Sequence, residues 1–324
     1  MKTGLLKICG LVTRLHNGAR IVDDVSFEIA PGKTFALLGE SGCGKSMTAL
    51  SLMRLLPGGI AIEQGEISLD GKNVLALPER EMREVRGGQI AMIFQEPMTA
   101  LNPAYTIGEQ LAEHYRHHRG ASAADARTRG VELLEKVGIA SAGKRLGQYP
   151  HQLSGGLRQR VMIAMALMCG PELLIADEPS TALDVTIQAQ ILRLLADLQQ
   201  ELGIAMVLIT HDLGVVARIA DRVAVMYAGE VVEEGPATEI FSTPQHPYTV
   251  GLLSCIPVPG RTPPGGKLGT IPGVVPSLVG DLQGCSFRDR CAHAQPQCSR
   301  TIPVRRSDAG QQWRCVLTPE AQAA

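Results

Sequence analysis

Gly39-Glu40-Ser41-Gly42-Cys43-Gly44-Lys45-Ser46 matches G-x-x-x-x-G-K-[ST] at every fixed position. The residue types say what chemistry this spacing can do. Glycines let the backbone wrap so that successive N–H groups converge on a phosphate, and a following helix adds its positive N-terminal end. Lys45 is long enough to reach the β/γ-phosphates, and the Ser46 hydroxyl can coordinate Mg2+. The alternative is a chance glycine turn. The position between a strand signal and a helix signal favours nucleotide binding.

Such a loop needs an acidic partner for the metal. Leu173-Leu174-Ile175-Ala176-Asp177-Glu178 is an apolar run ending in two carboxylates. Asp177 can hold Mg2+ through its water shell, and Glu178 can polarise an attacking water as general base. Alone, the run reads as a strand followed by a solvated acidic turn; the phosphate loop upstream tips the reading to catalysis.

The elements that must position these groups alternate between strand and helix signals up to about Cys255, the pattern of a layered α/β domain. Thr34–Leu38 is a short buried-strand run ahead of the loop, and Ser46–Leu56 is helix-compatible until Pro57-Gly58-Gly59 stops it. Leu173–Ala176, Ala205–Ile209 and Val223–Tyr227 are further strands, the last opening a hairpin at Ala228-Gly229-Glu230. Ile187, Ile191, Leu194, Leu195, Leu198 and Leu202 recur at helical spacing and predict one buried helix face. Ile107–Val137 is polar and helix-forming, which suggests a helical insertion in the α/β core. Residues 256–284 hold six prolines and seven glycines, too many for regular elements, so this stretch is an extended connection. Beyond it lies a compact region with four cysteines.

Composition excludes several classes. The 324 residues carry 31 basic and 32 acidic side chains, net −1, without the basic excess of a dedicated nucleic-acid binder. Eleven aromatic residues leave little for base-stacking platforms. No apolar run approaches the roughly 18 residues of a spanning helix. Lys7 and Arg14 interrupt the apolar stretch that a signal peptide requires, so the chain is expected to stay in the cytosol.

Leu153-Ser154-Gly155-Gly156-Leu157-Arg158-Gln159 narrows the class. With the phosphate loop and the Asp177-Glu178 pair it resembles the signature motif of ATP-binding cassette (ABC) ATPases. The other elements stand in order: Gln95 resembles the Q-loop glutamine, Ser180-Thr181-Ala182-Leu183-Asp184 the D-loop, and His211 in ITHD the switch histidine. The resemblance implies a P-loop NTPase cassette over residues 1–255: a RecA-like core, an antiparallel β subdomain and an inserted helical subdomain at about 97–165. Residues 256–324 follow as connection and extension. It also implies a composite site in which two cassettes pair head to tail. Ser154, Gly155 and Gly156 then serve the nucleotide bound by the partner, His211 holds the γ-phosphate and water, Gln95 senses metal and partner, and Asp184 lies at the junction. The family usually stacks adenine on an aromatic near the N-terminal strand. The comparable stretch here is Thr13-Arg14-Leu15-His16, which leaves His16 to stack or Leu15 to give apolar contact.

A narrower resemblance covers nearly the whole chain. Phe94–Pro103 (FQEPMTALNP), His246-Pro247-Tyr248-Thr249 and Ile271–Pro276 (IPGVVP) look like the ATPases of di- and oligopeptide importers. It implies two integral-membrane permease subunits, a second and similar ATPase subunit, an external substrate-binding protein acting indirectly, and no nucleic acid. The chain would sit peripherally on the cytoplasmic face of the inner (plasma) membrane, coupled to permease helices around Gln95–Pro103. A nickel or glutathione importer of the same group is an alternative, as is a soluble ABC ATPase acting on DNA or the ribosome. The latter usually has coiled-coil insertions or two cassettes in one chain.

Cys285, Cys291, Cys298 and Cys315 follow C-x5-C-x6-C-x16-C. A segment this small has little apolar surface, so a metal centre is a plausible staple. The short C-x2–4-C pairs of zinc fingers are missing; an iron–sulfur cluster also takes four thiolates and tolerates varied spacings. The family resemblance favours [4Fe–4S], with zinc and unligated thiols as alternatives. The arginines around these cysteines, Arg288, Arg290, Arg300, Arg305, Arg306 and Arg314, could offset cluster charge or form a solvated face. His114, His117 and His118 share a helix face expected to meet solvent. Cys43, beside Lys45 and a helix N-terminus, is expected to have a lowered thiol pKa and to react with alkylating agents unless nucleotide protects it.

Overall fold

A computed structural model of the chain describes residues 4–95, 100–181, 183–256, 269–276, 279 and 283–317. These residues fall into two compact units. One comprises Met1–Ile29, Thr34–Leu75 and Thr210–Ala324, the other Ala30–Lys33 and Ala76–Ile209. Ala182, Glu96–Thr99 of the FQEPMTALNP stretch, and most of the Pro/Gly-rich connection lie outside the described residues.

In the first unit, β1 (Leu6–Leu15), β2 (Arg20–Ile29), β4 (Ile60–Leu69) and β5 (Lys72–Asn73) form an antiparallel sheet in the order β2-β1-β4-β5. Leu6 and Ile8 are buried while Lys7 and Cys9 are exposed; Val25, Phe27 and Ile29 are buried while Ser26 and Glu28 are exposed. This period of two is what one covered face requires. Phe27 stacks on Phe35 of β3 (Thr34–Leu38), with ring centroids 4.5 Å apart.

The unit's other strands run in the order β11 (Val304–Arg306), β12 (Gln312–Arg314), β10 (Glu230–Pro236), β9 (Arg222–Tyr227), β3. β3 and β9 are parallel, from Phe35↔Arg222 to Leu38↔Val225. β3 is buried at every position, the continuous apolar run of a strand covered on both faces. Asp221 fixes the register: its carboxylate accepts from the Thr34 N–H at 2.8 Å, and its own N–H donates to Thr34 O. The β9–β10 hairpin closes through Ala228 and Gly229, both at positive φ, the type I′ geometry that suits strand twist. The helices of this unit are α1 (Lys45–Leu52), α8 (Leu213–Ile219), α9 (Ala237–Ser242) and α10 (Pro247–Ser254). α1 stops four residues short of the predicted Leu56. Arg54 turns left-handed, with Leu55 N–H on Leu50 O and Arg54 N–H on Ser51 O, a Schellman closure that ends the helix ahead of Pro57.

The second unit has a parallel sheet in the order β8 (Ala205–Ile209), β7 (Leu173–Asp177), β6 (Ile90–Ile93). With it come α2 (Glu79–Gly88), α3 (Ile107–Arg119), α4 (Ala123–Lys136), α5 (Ala142–Arg145), α6 (Gly155–Leu167) and α7 (Val185–Leu202). α3 opens with a Thr106/Glu109 capping box and α4 with a Ser122 cap, so both begin where the side chains satisfy the first free N–H groups. On α7, Ile191, Leu195 and Leu198 are buried as the spacing predicts, whereas Leu202 in the last turn is exposed. His114 and His118 depart from the solvent-facing expectation: both are half-buried, and a Cβ at Gly87 of α2 would come within 2.7 Å of each ring. Among the described residues no helix is long and apolar enough to cross a membrane.

Candidate nucleotide site

The phosphate loop leaves β3 at Gly39 and enters α1 at Lys45. Gly39 has φ +147, and a Cβ there would lie 2.2 Å from Met226 O, so only glycine lets the loop pass β9. Lys45 is 6% exposed; its ammonium donates to Gly39 O at 2.8 Å and Glu40 O at 3.0 Å and lies 3.6 Å from Cys43 Sγ. The loop's carbonyls thus hold the cation inside its own concavity. The Glu40 N–H donates to the Tyr248 hydroxyl at 2.9 Å, and Gly229 N–H donates to Cys43 O. Ser46 follows Lys45 in the first turn of α1.

Cys43 does not behave as its neighbours in sequence suggest. It is fully buried, and burial outweighs Lys45, pushing the thiol pKa up. The expectation of an activated thiolate is corrected: desolvation is the larger effect.

In the second unit, Asp177 ends β7 buried at 4% exposure, and Glu178 follows with φ +44. A left-handed non-glycine residue is strained, and such strain gathers at functional corners. Glu178 is held there by its N–H on Ile209 O (2.8 Å) and by two donors to the same carboxylate oxygen, Thr181 Oγ1 at 2.8 Å and Gln95 Nε2 at 3.1 Å. Gln95 itself is exposed at the end of the segment after β6. The acidic pair pointed to Glu178 and the family resemblance to Gln95; the resemblance placed Thr181 in the D-loop, but its bond to Glu178 is visible only in three dimensions.

Ser154 caps α6, accepting from Leu157 N–H at 3.4 Å, and Asp184 caps α7, accepting from Ile187 N–H at 3.0 Å. The two helix starts meet: a Cβ at Gly155 would be 3.4 Å from Leu183 and one at Gly156 3.2 Å from Ile187. The Ser154 side chain and the Asp184 carboxylate are exposed at these caps. His211 is exposed before α8, and its carbonyl accepts from Leu213 N–H. His16 is exposed in the turn after β1, its N–H on Gly59 O.

Cys285, Cys291, Cys298 and Cys315 are all free thiols, the last two buried. Each lies within electrostatic reach of the other three. Burial raises the thiols of Cys291, Cys315 and Cys285, the last to about 12. The Cys285 N–H donates to Cys298 O at 2.8 Å, which ties the two ends of this segment together. Among the described residues no group of three or more His, Cys, Asp or Glu side chains is arranged as a ready-made single-ion site. The arginines are not a uniform solvated face, because the Arg290 side chain is 5% exposed.

Comparison with known proteins decides the class. Residues 22–181 match the ABC transporter family and residues 232–298 match the C-terminal region of oligopeptide/dipeptide transporters. A Brucella melitensis protein named for peptide import is 54% identical, with 92% of each chain covered. The chain belongs to the ABC transporter family. The dipeptide transport ATP-binding protein DppD of Bacillus subtilis is 52% identical, over 87% of this chain and 84% of its own. The oligopeptide transport ATP-binding protein OppD of Salmonella typhimurium is 49% identical, over 91% and 87%. A solved ATP-binding cassette, a dimer bound to ADP and Pi, matches with TM-score 0.64 and 29% identity, covering 72% of this chain and 98% of its own. The fold is therefore that of an ABC cassette, and three of the four tail cysteines fall within the matched C-terminal region.

Proposed function

We propose that this ABC protein binds and hydrolyses ATP to power uptake of di- or oligopeptides. The observation that carries the reading is the C-terminal match at residues 232–298, because it joins a cassette with a complete set of motifs to a region shared with oligopeptide and dipeptide transporters. Lys45 and the N–H groups of Gly39–Ser46 bind the phosphates. An incoming phosphate draws the Lys45 ammonium from the Gly39 and Glu40 carbonyls that now hold it, a modest exchange because the charge is already desolvated. Ser46, Asp177 and Gln95 are the oxygen donors suited to Mg2+, which would neutralise phosphate charge.

Glu178 acts as general base. Its strained backbone aims the carboxylate, and Gln95 and Thr181 fix which oxygen is free to accept a proton from water. His211 holds the γ-phosphate side of the water, and His16 meets adenine. Ser154, Gly155, Gly156 and Asp184 complete the site of a second, similar cassette in a head-to-tail pair. Two membrane permeases hold the pair at the cytoplasmic face of the membrane, and an external binding protein delivers cargo to them.

The four tail cysteines would hold a [4Fe–4S] cluster. Support comes from their mutual proximity as four free thiols. When bound, the cluster supplies thiolate–iron bonds that staple a segment too small to hold itself together.

The test is uptake of labelled di- and oligopeptides, beside labelled nickel, in cells lacking the gene and in cells carrying Lys45→Ala. Loss of peptide uptake in both is expected. Intact peptide uptake with lost nickel uptake moves the cargo within the family, and no change in either counts against transport.

A further inference from the structure

Arg290, one residue before Cys291, reaches into the phosphate loop. It forms a two-pronged pair with Glu40: Nη1 to Oε2 at 2.5 Å and Nη2 to Oε1 at 3.0 Å. Nη1 also lies 3.4 Å from the Tyr227 hydroxyl, Nη2 donates to Ile271 O at 3.1 Å, and Nε donates to Pro272 O at 2.9 Å. All five guanidinium donors therefore have an acceptor, at a side chain 5% exposed. Room for it is made by Gly273, at φ +84, where a Cβ would stand 3.0 Å from Arg290 Cγ.

Every polar group of Glu40 is held. Its carboxylate takes Arg290, its N–H donates to Tyr248, and its carbonyl accepts from the Lys45 ammonium and from the Cys43 N–H. A continuous set of bonds thus runs from the cysteine segment to the phosphate-binding lysine. Phe287, also between Cys285 and Cys291, packs the same place, its ring 5.2 Å from Tyr227 and 5.3 Å from Tyr248. Three stretches that the ATP chemistry leaves unused, around Tyr248, Ile271–Gly273 and Cys285–Cys291, converge on one loop residue.

We propose that Arg290 is a positioning residue for nucleotide binding: the cysteine segment clamps Glu40 and thereby sets the phosphate loop in its binding conformation. A surface ion pair would not do this, since its geometry is loose and screened. A buried fork with all donors paired fixes both angle and distance. The pair braces the loop that binds phosphate and makes no bond to Glu178, Gln95 or Thr181 among its named contacts, so its removal acts on affinity before it acts on the chemical step. The inference rests on the nucleotide reading of the loop, and binding by the wild-type chain tests that reading separately.

The experiment measures equilibrium binding of a fluorescent methylanthraniloyl derivative of ADP, and the ATP dependence of turnover, for the full-length chain. The variants are Arg290→Ala, Arg290→Lys, Glu40→Gln and the Arg290→Ala/Glu40→Gln double, each with its melting temperature. Arg290→Ala should weaken binding and raise KM for ATP about tenfold while kcat stays within about twofold. Arg290→Lys should recover only part, because one ammonium cannot span both carboxylate oxygens. Glu40→Gln should add little on the Arg290→Ala background, as for two ends of one interaction. Unchanged affinity in folded Arg290→Ala, or full additivity in the double variant, would overturn the proposal. If Arg290→Ala does not fold, Arg290→Lys and Glu40→Gln decide: unchanged affinity in both overturns it, and a shared loss supports it.

Discussion

The phosphate loop and the Glu178 corner hold their geometry by opposite means. Behind the loop stand side chains from far along the chain, the Tyr248 hydroxyl and the Arg290 guanidinium, and its lysine is 6% exposed. Glu178 is half-buried, backbone-strained, and held by two side-chain hydrogen bonds, one of them from an exposed glutamine. The loop is braced from behind, and an incoming phosphate has only to draw Lys45 from the Gly39 and Glu40 carbonyls. The corner is more lightly held: without the Gln95 bond, Thr181 is the remaining side-chain donor named on that carboxylate oxygen, and the Glu178 N–H stays on Ile209 O. On the proposed reading, binding depends on the braced loop and hydrolysis on the more lightly held corner.

The largest expected effect separates the two. Glu178→Gln keeps the Gln95 and Thr181 neighbours but cannot accept a proton, so turnover should fall by about 10²–10⁴ while ATP affinity holds; single-turnover assays and equilibrium binding check both. Gln95→Ala should act on the same side and less, roughly tenfold in turnover, because it removes one hydrogen bond to a charged acceptor. Thr181→Val should cost about as much or somewhat less, read in the same assay, since Thr181 supplies the other donor to that oxygen. A loss of affinity in Glu178→Gln or Thr181→Val, neither of which removes a proposed Mg2+ donor, would erase the contrast.

Smaller effects fall on stability and reactivity. Burial, with His118 and His117 adding to it, lowers His114 to about 4, and burial lowers His246 to about 3. In the unfolded chain both titrate near ~6.5. Below that pH the unfolded state binds protons that the folded state does not, so stability falls as pH drops from about 6.5 toward 4 and rises as pH increases through the window. Urea midpoints at about pH 7 and about pH 5 should show the loss, and His114→Gln should reduce it by about half, His246 supplying the rest. Cys43, buried and raised, should label slowly with iodoacetamide, with or without nucleotide. Rapid labelling blocked by ATP would restore the activated-thiol reading and make the loop less closed than described.

What the sequence made legible follows from how local each feature is. The loop, the Asp177-Glu178 pair and the Ser154–Gly156 turn are short spacings whose chemistry is set by residue type, and β3, β7 and β8 are apolar runs that the structure buries throughout. The end of α1 was misplaced because Arg54 in a left-handed turn leaves no composition signal. Cys43 was misread because Lys45 is adjacent in sequence while the burial that outweighs it comes from packing. Arg290 looked like one of six tail arginines; its partner Glu40 lies 250 residues away, beyond any spacing argument. His114 went the same way, since an i, i+3, i+4 face does not say what lies over it.

The most direct measurement sets Glu178→Gln beside Arg290→Ala in one assay, with nucleotide affinity and turnover at saturating ATP recorded for each. The account predicts a crossed result: the first variant keeps affinity and loses turnover, and the second loses affinity and keeps turnover. Parallel loss of both quantities in both variants would contradict the division between a loop braced for binding and a corner that serves hydrolysis.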